Sequence, residues 1–74
     1  VSDIELTVLP DALKRARLAA CLTQAELAKA AGVRRETVFR LEGGAPARMS
    51  SLRKICAALG IRPSEITAIR EAGT

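Results

Sequence analysis

TQAELAKAAGVRRETVFRLEGG, residues 23–44, is the stretch on which the fold turns. Thr23 followed three residues later by Glu26 is a capping box, in which each side chain satisfies the other residue's backbone amide, so a helix starts at Gln24. Leu27, Ala28 and Ala31 recur at helical spacing, and Gly32 stops the helix after Ala31 as a left-handed glycine does. A second amphipathic stretch runs from Arg34 to Glu42 and is ended by Gly43-Gly44. The connection at Gly32-Val33 is so short that the two helices must cross closely, and Ala28 is small where they do. At roughly 100° per residue, Arg35, Phe39, Glu36 and Arg40 fall within about 140° of arc, with Thr37, Val38, Leu41 and Arg34 on the other side. The second helix thus has one face to pack and one face to present.

Outward from this pair, the pattern stays helical towards the C-terminus. Ala45–Met49 is predicted as loop, and Ser50 as the N-cap of a helix through Leu59 with Leu52, Ile55, Cys56 and Leu59 inward and Gly60 as its stop. Arg62-Pro63 opens a short fifth helix with Ile66 and Ile69 on one face. Towards the N-terminus, Pro10 suits a first helical position and Asp11 complements the helix dipole. Leu13, Ala16, Arg17 and Ala20 share a face of that helix, and Cys21-Leu22 connects it to Thr23. Residues 2–8 instead alternate, with Ile4, Leu6 and Val8 opposite Asp3, Glu5 and Thr7, which predicts a short strand. A lone strand has three fates: pairing with its copy in a dimer, docking on the helices, or disorder. The reading favours the dimer. The expected fold is all-α, a compact five-helix domain over residues 10–74 behind an N-terminal extension over residues 1–9.

Composition narrows the function classes. Of 74 residues, 49% are hydrophobic and only Phe39 is aromatic, so the core must come from Leu, Ile, Val and Ala. No apolar run approaches the roughly 18 residues of a membrane span, and no signal-peptide pattern opens the chain. The chain opens on Val1 rather than Met, as a trimmed or excised chain does. There is no histidine, which excludes a Ser-His or Cys-His nucleophile pair, a histidine base and a histidine metal ligand. Cys21 and Cys56 form no CxxC pair, so zinc has too few ligands. No metal, cofactor or enzymatic activity is expected. The net charge is +4, but residues 12–62 alone carry +8, with −3 before them and −1 after. Nine of the twelve cations are arginine, whose planar fork suits phosphates and guanine edges. By composition alone, a nucleic-acid partner and a merely solvated basic surface are equally served.

The spacing Thr23-Gln24-x-Glu26-Leu27-Ala28-x-x-Ala31-Gly32-Val33, then Thr37-Val38-x-Arg40-Leu41-Glu42-x-Gly44, resembles the helix-turn-helix of the Cro/cI-type (XRE-like) repressor family. Leu52-x-Lys54-Ile55-x-x-Ala58-Leu59-x-Ile61-x-x-x-Glu65-Ile66 looks like that family's fourth and fifth helices, so the resemblance extends from about Pro10 to Ile69. It implies a lambda-repressor-like DNA-binding domain whose helix 34–42 enters the major groove. Arg35, Glu36 and Arg40 then face base edges, together with Phe39, which stands where the family more often has a small polar residue. Arg35 or Arg40 suits guanine, whereas Glu36 either accepts from cytosine N4 or holds Arg40 four residues on. Phe39 either touches a thymine methyl or covers the loop Pro46–Met49.

The same resemblance puts phosphate contacts on Gln24, Gly44, Arg48 and Arg53, and a structural salt bridge between Arg17 and Glu42; a phosphate contact by Arg34 is expected from its place at a helix N-terminus, which suits anions. Arg34 stands where the family tends to have a Ser or Thr cap, and arginine cannot cap in that way. Cys21 replaces the family's usual glycine or asparagine, so that turn is expected to be mildly strained. One monomer reads few bases, so a homodimer on a near-palindromic operator of double-stranded DNA is expected, with Ile4, Leu6, Val8, Ile66 and Ile69 as its surface. The reading is a cytoplasmic, nucleoid-associated transcriptional regulator, a repressor for preference. Two alternatives stand beside it: the antitoxin of a toxin–antitoxin pair, with the toxin as protein partner, and an interaction module that reads no bases.

Overall fold

The computed structural model describes residues 5–67. In chain order these form β1 (Glu5–Leu6), α1 (Pro10–Ala19), α2 (Gln24–Ala31), α3 (Arg35–Glu42), β2 (Ala47–Arg48), α4 (Met49–Leu59) and a single 3-10 turn, Pro63–Glu65. The all-α class holds, with four α-helices where five were expected. The fifth is only that turn among the described residues, where the Arg62 amide donates to Glu65 Oε2 at 2.8 Å.

Helix boundaries follow local chemistry. The Glu26 amide donates to Thr23 Oγ1 at 3.1 Å and the Thr23 amide to Glu26 Oε1 at 2.8 Å, so the capping box is present on both sides. Gly32 ends α2 at φ 72°, and the Val33 amide returns to the Ala28 carbonyl at 3.0 Å, closing the helix with a left-handed cap. At the end of α3 it is Gly44, not Gly43, that turns left-handed, at φ 98°. The Ala45 amide then reaches the Arg40 carbonyl at 3.0 Å. Cys21 makes the same left-handed turn after α1 at φ 59°, the one described non-glycine residue to do so. A Cβ in that region crowds the carbonyl that follows it, which costs about 1–2 kcal/mol.

The start of α4 differs from the sequence expectation. Arg48, not Ser50, is the N-cap residue, and the helix begins at Met49. The cause is β2: Ala47 and Arg48 are already extended through pairing with β1, and Arg48 (φ −74°, ψ 149°) passes directly from strand to helix.

The N-terminal segment corrects the second expectation. β1 pairs antiparallel with β2 of its own chain, Glu5 opposite Arg48 and Leu6 opposite Ala47, and Val8 forms a bridge with Thr67. Val8 is 2% exposed and Ile66 1%, so both lie inside the chain's own core rather than on a dimer surface. Leu6 packs on the edge of that core. Ile4 and Ile69 lie outside the described residues. The apolar stripe found a closer partner than a second molecule: Leu13, Leu27, Val38, Leu52 and Ile55 are fully enclosed, and Val8 completes their cluster. α2 lies at the centre, packed on both α3 and α4, while α1 closes over α3.

Candidate nucleic-acid interface

The orientation of α3 is held by one carboxylate. Glu42, in its last turn, accepts from Arg17 Nε of α1 at 2.5 Å and from Arg17 Nη2 at 3.0 Å. It also accepts from Gln24 Nε2 of α2 at 3.2 Å. Arg17 Nη1 donates to the Leu22 carbonyl in the α1–α2 turn at 2.8 Å. The two charged side chains are only 9% and 5% exposed, so the pair is desolvated and fully hydrogen-bonded. Burial pushes the Glu42 carboxyl upward, but the hydrogen bonds from Arg17 and Gln24 and the charges of Arg17 and Lys14 outweigh it. The net result lies below the ordinary carboxylate value. Arg17 is raised in turn, chiefly by its hydrogen bond to Glu42.

With Val38 and Leu41 buried and Glu42 tied down, the remaining face of α3 is exposed: Arg35, Glu36, Phe39 and Arg40. Phe39 is 63% exposed, the most open of the large hydrophobic side chains among the described residues. Glu36 and Arg40 form no ion pair; among the described residues Arg17–Glu42 is the only one. Arg35, Glu36 and Arg40 thus make no side-chain hydrogen bond or ion pair among the described residues, and the outward face keeps its hydrogen-bonding capacity free.

Two hollows flank this face. A groove of about 480 Å³ between α3 and the start of α4 is lined by Arg34, Thr37, Arg40, Pro46, Arg48 and Ser51, with no acidic residue in its wall. A second hollow, about 280 Å³, lies at the start of α2 against Arg17, Thr23, Gln24 and Arg35. Glu36 and Phe39 line neither; they form the ridge between, with Arg35 and Arg40 as its shoulders. A convex ridge beside a groove lined by three arginines fits a major groove whose floor carries base edges and whose walls carry phosphates.

Other residues singled out in the sequence are distributed as follows. Arg34 is the exposed N-cap of α3 with no side-chain capping bond. Gly44 is exposed, at the far end of α3. Arg53 is exposed on α4 but stands apart from the groove. Gln24 is half-buried with its side-chain amide committed to Glu42, which leaves its backbone amide for an anion. Thr37 and Ser51 were missed. Thr37 sits three residues from both Arg34 and Arg40, a signal that was available in the sequence. Ser51 lies in the first turn of α4 under either helix start, but its place in the groove depends on the path of Pro46–Arg48. Cys56 is buried, and burial with the nearby Glu65 charge raises its thiol. No described helix is long and apolar enough to cross a membrane.

A helix-turn-helix family model matches residues 13–66. Among solved structures, the restriction-modification controller protein C.AhdI from Aeromonas hydrophila is 31% identical, with a TM-score of 0.71, covering 77% of this chain and 88% of that one. A hydroxyethylphosphonate dioxygenase (Y98F mutant) matches at 25% identity and TM-score 0.74 over 86% of this chain, but over only 14% of its own length. Native PhpD with cadmium, at 23% identity and TM-score 0.72 over 86% of this chain and 14% of its own, shares the fold alone. No curated protein matches the sequence.

Proposed function

Because the chain belongs to the helix-turn-helix family of XRE type and is by that membership a DNA-binding transcriptional regulator, we propose that it represses transcription by binding a near-palindromic operator as a homodimer, with α3 in the major groove. The observation that carries this reading is the exposed ridge of α3 beside the groove lined by Arg34, Arg40 and Arg48. Glu36 accepts from cytosine N4, Phe39 lies against a thymine methyl, and Arg35 reads guanine O6 and N7; each good bidentate contact discriminates by about 1–3 kcal/mol. Arg40 serves on the shoulder, reaching either a base edge or, through the groove it shares with Arg34 and Arg48, the phosphate backbone. Arg34, Arg48 and the start of α2 with Gln24 contact phosphates, with Gly44 and, farther off on α4, Arg53 as additional contacts. A monomer ridge of this length covers few base pairs, so specificity needs two copies on half-sites about one helical turn, roughly 34 Å, apart. With Val8 and Ile66 internal, the dimer contact falls to other residues.

Selection from a pool of randomised duplexes at about 0.15 M salt, followed by sequencing, tests the proposal. An enriched inverted repeat containing G·C pairs is the expected outcome. Arg35→Ala should then flatten preference at one position of each half-site, while Arg48→Ala should weaken all sequences alike and reduce the salt slope by about 1. A folded protein that enriches no sequence would instead support the interaction-module reading.

A further inference from the structure

We propose that the N-terminal segment, residues 5–9, is a positioning strap for DNA binding: it holds the backbone of the α3–α4 connection so that Arg48 stands in the groove opposite Arg34 and Arg40. The inference rests on the phosphate role given to Arg48 above.

The connection cannot hold this geometry by itself. After the Ala45 amide bonds back to α3, Pro46 has no amide to offer, and Arg48 makes no side-chain capping bond to α4. What fixes Ala47 and Arg48 is the ladder to β1, Leu6 opposite Ala47 and Glu5 opposite Arg48, together with burial of Ala47 to 2% exposure. β1 is itself anchored behind the ladder. Val8 is in the core and bridged to Thr67, and the Leu9 amide donates to the Ile66 carbonyl at 2.7 Å before Pro10 opens α1. The Pro10 ring also approaches Gly44: a Cβ at Gly44 would meet Pro10 Cγ at 3.9 Å. The strap therefore runs alongside the connection from Gly44 to Arg48. A ladder of two residues is marginal, so one backbone change suffices to release it while the helices stay packed. Arg48 is exposed already, so release changes where its side chain stands rather than its burial, and removes one of three guanidinium groups from a groove without acidic lining.

Leu6→Pro deletes an amide in β1 and fixes φ at about −65°, away from the roughly −140° of an antiparallel strand, whereas Leu6→Val keeps the strand. Four measurements are made on the full chain: helical circular dichroism, amide exchange at Ala47 and Arg48, affinity for the selected duplex, and its salt dependence. For Leu6→Pro we expect retained helix, lost protection at the one amide of the Ala47–Arg48 pair that faces β1, a salt slope shallower by about 1 and an unchanged base preference, with Leu6→Val like the parent. The deciding readout is a cycle with Arg48→Ala. This change should reduce the slope in the parent chain and do nothing further on the Leu6→Pro background. If Arg48→Ala acts equally on both backgrounds, the strap does not position Arg48. If Arg48→Ala leaves the parent's slope untouched, the phosphate reading of Arg48 fails and takes the strap's role with it. Should Leu6→Pro lose its helical signal, Leu6→Gly, which weakens the strand without removing an amide, enters the same cycle with the same expected and refuting outcomes.

Discussion

Replacing Glu42 with glutamine keeps the shape of the side chain and removes its charge, leaving the Arg17 guanidinium enclosed with the Leu22 carbonyl as its remaining strong acceptor. Three hydrogen bonds converge on this carboxylate, from Arg17 Nε, Arg17 Nη2 and Gln24 Nε2, and the ion pair is more than nine-tenths buried on both sides. Removing one member of such a pair costs about 3–5 kcal/mol, because the partner's charge is left uncompensated. A domain of this size has a total stability of about 4–11 kcal/mol, so the variant should lose between a quarter of it and all of it. In thermal terms a loss of about 3 kcal/mol lowers Tm by at least 12 °C. Urea unfolding followed by far-ultraviolet circular dichroism at pH 7 measures the difference directly.

The same measurement across pH supplies an independent check. The folded Glu42 carboxyl lies below its ordinary value of 4.5, so its contribution is present above that pH and is lost as pH falls through the folded value. The gap between the parent and Glu42→Gln should therefore narrow in acid. The apolar double replacement Arg17→Met with Glu42→Leu, which leaves no orphaned charge, should recover most of what either single change loses. A Glu42→Gln cost below about 1 kcal/mol, the value of an exposed ion pair, would refute the argument. So would a double variant as unstable as its two parents added together.

Three further outcomes are expected. Gly32→Ala should destabilise by about 1–2 kcal/mol through backbone strain alone, since an added Cβ there meets nothing within 4 Å; a denaturant midpoint unchanged from the parent would contradict this. Cys21→Gly should raise stability by up to about 1 kcal/mol, because relief at φ 59° exceeds the entropy that glycine loses on folding, and thermal melts of the reduced protein read it. On the selected operator, replacing the thymine nearest Phe39 with uracil should weaken the parent several-fold but leave Phe39→Ala nearly unaffected, since the two changes delete opposite sides of one apolar contact.

What the sequence disclosed depended on the range of the interactions. The α2–turn–α3 unit was legible because its determinants lie within four residues of one another: the Thr23–Glu26 box, the left-handed Gly32, and the alternation of Val38 and Leu41 with Arg35, Glu36 and Arg40. The Arg17–Glu42 pair spans 25 residues and came into view only through the family resemblance. The partner of β1 was not legible at all. Period-two patterning says that Leu6 and Val8 face one way, but not what they face. β2 is two residues long and carries no alternation to announce it. From that one omission followed both the misplaced start of α4 and the misassigned surface of Val8. The groove inherited the difficulty: Arg34 and Arg40 fall about 120° apart on a helical projection, and Arg48 and Ser51 reach it only through a connection whose path the strand sets.

α3 divides its duties between two sets of positions. Val38, Leu41 and Glu42 moor it to the body of the protein, while Arg35, Glu36, Phe39 and Arg40 contribute little to that mooring. The four outer positions therefore form an interchangeable cassette, open to drift or to deliberate redesign without jeopardising the scaffold beneath. On the proposed reading, a lineage carrying this domain would acquire new operators by rewriting four codons, and a randomised library at those positions should yield folded members in abundance.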